Sequence, residues 1–217
     1  MSEGILKPEA SMRSVAIAEA TILESIRNSL SNIADLIREI YEALNDLSKG
    51  MFESVKVRSE RVWEAKRKTL EELRNYVTHF VRVRLGLDNR DLYQEVFRFL
   101  REAIYGVSDA SCLLRELAAS GALGASVEPL LNASKSIIES VQGMIDATMI
   151  LLDNPRSSID ALEKSFRSLE AVEASYRESS YLSTSHSLRE LMRILVSIAR
   201  SLSSISENLR WVALQRL

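Results

Sequence analysis

Between Leu188 and Val212 the apolar residues Leu188, Leu191, Leu195, Ile198, Leu202, Ile205, Leu209 and Val212 recur at alternating steps of three and four. That spacing lines one side of an α-helix, and an apolar seam of about seven turns is stable in water only when other helices cover it. Ser197, Ser201 and Ser204 run beside the seam, small enough to let a neighbouring backbone approach. Three prolines and seven glycines in 217 residues leave few interruptions elsewhere, so the expected fold is all-α, a bundle of long antiparallel helices.

Taken in order, the chain divides into six such segments. After a tail from Met1 to Glu9, a first helix from about Ala10 carries Ile22, Ile26, Leu30, Ile33, Ile37, Ile40, Leu44 and Leu47, and Lys49-Gly50 closes it. A second, from about Phe52 to Leu85, turns Val62, Leu70, Leu73, Val77, Phe80 and Val81 inward and stops at Gly86. Asp88 or Asn89 is placed to cap the third, whose seam runs through Leu92, Val96, Phe99, Ala103, Val107, Ala110, Leu114 and Leu117. Gly106 in its middle is unfavourable against alanine unless a helix packs closely there.

Gly121 to Gly124 is the softest joint. Beyond it Ser126 is placed as the cap of a fourth helix with Pro129 in its first turn, and Leu130, Ser134, Ile138, Val141, Ile145, Met149 and Leu152 form its seam. The fifth runs from about Ser157 to Tyr181, and after a polar turn at 182–185 the opening helix completes the chain. The pattern predicts two similar three-helix bundles, residues 10–120 and 126–217, joined as one compact body.

Several function classes find no support. A net charge of -2 argues against a dedicated nucleic-acid binder. No nucleophile elbow, phosphate-binding glycine loop or Glu-x-x-His pair is present, and no catalytic residue is assigned. The lone Cys112 reads as a reduced, buried structural thiol. No leader pattern opens the chain and no apolar run is long enough for a membrane span, so a cytoplasmic protein is expected.

Two charged arrays stand out. The second helix sets nine basic residues, among them Lys66, Arg67, Lys68, Arg82 and Arg84, against five glutamates, which suits either a solvated face or an anionic partner. The third places Glu95, Glu102, Asp109 and Glu116 in one column, where carboxylates can bind a hard cation or be neutralised by Arg98 and Arg101.

The run Glu60-Arg61-Val62-Trp63-Glu64-Ala65-Lys66-Arg67, followed by Asp88-Asn89-Arg90-Asp91-Leu92-Tyr93 and Ala103-Ile104-Tyr105-Gly106-Val107-Ser108-Asp109-Ala110, resembles the middle section of the PhoU-like family. Ser197 to Asn208 stands where that family's closing helix stands. The likeness is to the phosphate-transport regulators that accompany Pit-type transporters, and it extends over nearly the whole chain. It implies a six-helix body of two three-helix bundles and a non-enzymatic regulator of phosphate transport or signalling. Such a regulator acts by contact with a phosphate transporter or membrane-bound sensor protein, self-associates into a homo-oligomer, and can make peripheral membrane contact through the basic second helix.

The family also presents acidic i,i+4 pairs to iron or zinc. Carried over, these fall on Glu64 with Lys68, Tyr105 with Asp109, Glu170 with Ala174 and Ser203 with Glu207, so one acid of each pair is present. The resemblance therefore marks Glu64, Asp109, Glu170 and Glu207 as metal candidates while implying no required cofactor. A scaffolding bundle without a phosphate role, or a metal-binding helical protein, is the alternative.

Overall fold

The computed structural model describes residues 8–121, 126–179 and 186–217. The tail through Lys7 and the expected connections at 122–124 and 182–185 lie outside them. Six α-helices carry the described chain: α1 (Pro8–Ser48), α2 (Phe52–Val83), α3 (Arg90–Ser120), α4 (Glu128–Ile150), α5 (Pro155–Ser179) and α6 (His186–Leu214). A short 3₁₀ turn, Arg84–Gly86, follows α2.

The ends of the helices differ in detail from the sequence expectation. The first helix begins at Pro8, two residues early, because proline is well tolerated in a first turn. Asn89 stands at the start of α3 without a side-chain cap; it is buried, and its Oδ1 has no partner among the described residues. Val127, not Ser126, occupies the cap position of α4, yet the Ser126 hydroxyl still accepts the Glu128 N–H at 3.3 Å. Asn154 Oδ1 accepts the Ser157 N–H at the start of α5. Gly121 ends α3 with φ +62°, a left-handed position that glycine fills without strain.

Within each set of three, short links make consecutive helices antiparallel neighbours, and the two sets then meet through like members. The helix α1 packs against α4, and α3 against α6, while α2 and α5 lie on opposite flanks. One continuous apolar cluster runs from Ile22 of α1 to Ala213 of α6. All eight seam residues of α6 are buried. The close approach expected at Gly106 is present, since a Cβ there would lie 2.7 Å from Ile198 Cγ1 of α6.

One seam turns out rotated, and another departs at a single residue. On α4 the buried row is Ile137, Val141, Met144, Ala147 and Leu151, whereas Ile138 and Ile145 are half-buried and Met149 is exposed. That helix touches α1, α5 and α6, so its apolar arc is too wide for one row to define. On α2, Val81 is exposed instead of inward. Cys112 is half-buried, not buried, and has no disulfide partner.

Candidate functional site

The four carboxylates singled out by sequence are all exposed. Glu170 and Glu207 line one groove between α5 and α6, of about 260 Å³, together with Phe166, Arg167, Ser206 and Arg210. Glu64 on α2 and Asp109 on α3 stand outside this groove.

Cross-helix polar contacts build the walls of the α5/α6 groove. Glu163 receives Arg210 Nη2 at 3.0 Å and lies 3.8 Å from Arg167 Nη2, so one carboxylate holds two guanidinium groups. Arg210 Nε is buried without a partner among the described residues. The Ser206 hydroxyl donates to the Leu162 carbonyl at 2.8 Å, which ties α6 to α5. Farther along, Arg200 grips Glu173 through two bonds of 3.1 and 2.6 Å, and this contact raises the pKa of the guanidinium. The groove continues past Ser203 toward that pair.

This donor set does not fit a multinuclear iron or zinc centre. Arg167 and Arg210 stand in the groove with the two acids, and Lys68, Tyr105, Ala174 and Ser203 hold the positions where second acids would be needed. Among the described residues no group of three or more His, Cys, Asp or Glu is placed to hold an ion. Alternating acids and guanidinium groups over a phenylalanine floor suit recognition of a polar protein surface. In the carboxylate column of α3, Glu95 and Glu102 are both taken up by Arg98 at 2.6 Å each.

On the other flank the basic second helix is only partly neutralised. Lys56 pairs with Glu53, Arg58 with Glu39 and Asp46, and Lys68 with Glu72. The Lys66 ammonium sits 4.6 Å from the Trp63 ring centroid and 5.1 Å from that of Tyr105, and it donates to the Ser108 hydroxyl at 2.8 Å. His79 and His186 are both exposed. Sequence reasoning missed Glu163 and Arg210, whose roles arise only when α5 and α6 are packed together.

Comparison with family models, with curated proteins and with solved structures gave no match for this chain. Among the described residues no helix is long and apolar enough to cross a membrane.

Proposed function

We propose that this protein is a non-enzymatic, cytoplasmic regulator of inorganic phosphate transport or phosphate signalling that works by contact with a transporter or a membrane-bound sensor. The observation that carries the reading is the architecture: three helices followed by three like helices, with α1 against α4 and α3 against α6. It accords with the resemblance carried by Glu60 to Arg67, Asp88 to Tyr93 and Ser197 to Asn208. Exposed charge on the two flanks supports a contact mechanism. The α5/α6 groove offers Glu170 and Glu207 beside Arg167 and Arg210, and α2 offers exposed Arg61, Arg67 and Arg74, which have no ion pair among the described residues. Self-association through either flank belongs to the same reading.

Affinity capture from solubilised membranes tests it. Cells grown at limiting phosphate are expected to yield a phosphate transporter or sensor bound to the tagged protein. Charge reversal at Glu170 and Glu207 together is expected to reduce that yield. If neither transporter nor sensor is recovered at limiting or at replete phosphate, the scaffolding alternative takes its place.

A further inference from the structure

One end of the bundle exposes apolar side chains. Antiparallel order brings the start of α1, the end of α2, the start of α3, the end of α4 and the end of α6 to that end. Three contacts confirm the level: the Tyr93 hydroxyl of α3 donates to Glu19 of α1 at 2.6 Å, Arg216 donates to the same carboxylate, and Phe80 of α2 meets Phe97 of α3 at 5.5 Å. At this level Ile17, Val81, Leu85, Met149 and Trp211 are exposed, Leu85 to 82% and Trp211 to 50%. Toward the opposite end the exposed large apolar side chains include Met51, Val57 and Trp63 of the α2 flank.

The exposure of Leu85 is built in. It sits in the 3₁₀ turn between Phe80 and Leu87, which are both buried, and the Leu87 N–H bonds back to the Arg84 carbonyl at 3.1 Å. The run Val81-Arg82-Val83-Arg84-Leu85 alternates apolar and cationic residues, and Arg82 and Arg84 are exposed with no ion pair among the described residues. Asp88, Asp91 and Asp153 share this end of the molecule, and Asp91 lies 3.7 Å from Arg90, so the cations at this end without an ion pair among the described residues include Arg82 and Arg84.

We infer that this end seats on an anionic lipid surface, with Leu85 and Val81 entering the headgroup layer and Arg82 and Arg84 on lipid phosphates. Apolar tips flanked by arginine, with a tryptophan at the same level, match the chemistry of a membrane interface. A twofold contact between two copies through the same corner would instead bring Arg82 and Arg84 of both copies together. The inference deepens the membrane contact expected of the basic second helix, and its test reads lipid binding alone, so its failure is distinguishable from a failure of the phosphate reading.

The two tryptophans make a direct test possible, because Trp211 lies at this end and Trp63 on the α2 flank. Single-tryptophan variants Trp63→Phe and Trp211→Phe of the full chain are titrated with vesicles of phosphatidylglycerol in phosphatidylcholine, and with phosphatidylcholine alone. The expected result is sedimentation with anionic vesicles only, weakened by salt, and a blue shift from Trp211 but not from Trp63. Leu85→Glu and the pair Arg82→Glu/Arg84→Glu are expected to weaken binding by about tenfold or more, with helical circular dichroism unchanged. Absence of binding, equal binding to neutral vesicles, or a shift from Trp63 instead of Trp211 overturns the inference. A Trp211 shift that grows with protein concentration without vesicles assigns the end to a second copy and overturns it too.

Discussion

Tyr93 is fully buried, and its hydroxyl meets a Glu19 carboxylate that is itself only 7% exposed. Burial, with Glu19 adding to it, pushes the phenol pKa far up, so the hydroxyl keeps its proton and serves as a donor. Tyr93→Phe leaves a buried carboxylate with one partner fewer and is expected to cost about 1–3 kcal/mol in chemical denaturation. Asp46 supplies a pH-dependent counterpart. The Ser54 hydroxyl, and after it the Arg58 guanidinium, hold its pKa below the ordinary value of 3.8 against the opposing effect of burial. A carboxylate with a depressed folded pKa contributes stability that is present above its unfolded pKa and is lost as pH falls through the folded one. The stability gap between the protein and Asp46→Asn is therefore expected to be full near neutrality and to close below a pH of about 3.8, as read by urea titrations across that range.

At the scale of the helix, Gly106 and Ile198 set the spacing of α3 on α6. Alanine at 106 gains about 1 kcal/mol of helix propensity. Its Cβ meets Ile198 Cγ1, near the stiff branch point of that side chain, and such overpacking costs about 1–3 kcal/mol. Gly106→Ala is expected to be destabilising alone and stabilising in an Ile198→Ala background, a sign change measurable in a double-mutant cycle. This contact was legible in sequence because the glycine interrupts an otherwise strong helix. The α6 seam was legible for a similar reason: a narrow row of eight apolar residues with polar neighbours has one way to face the core. Helix α4 was not, because Ile137 and Ile138, or Met144 and Ile145, are equally apolar and only the positions of α1, α5 and α6 decide between them. The same holds for the groove. Glu170 and Glu207 could be marked from the resemblance, whereas the hold of Glu163 on Arg210 depends on the packed geometry of two helices.

For the whole molecule, the single apolar cluster shared by α1, α3, α4 and α6 couples the two halves. Trp63 reports on the first half and Trp211 on the second. Their emission is expected to change with the same midpoint in guanidinium as the helical circular dichroism; two separated midpoints would mean that the halves unfold independently. This body, with charged flanks and an apolar end, is suited to binding other surfaces, and the function proposed for it is regulation of phosphate uptake by contact. The most direct measurement is uptake of labelled phosphate by cells lacking the protein, with and without a restored copy. Uptake that loses its response to external phosphate in the deletion, and regains it with the restored copy but not with one reversed at Glu170 and Glu207, is the result expected. Uptake that responds normally in the absence of the protein would contradict the claim.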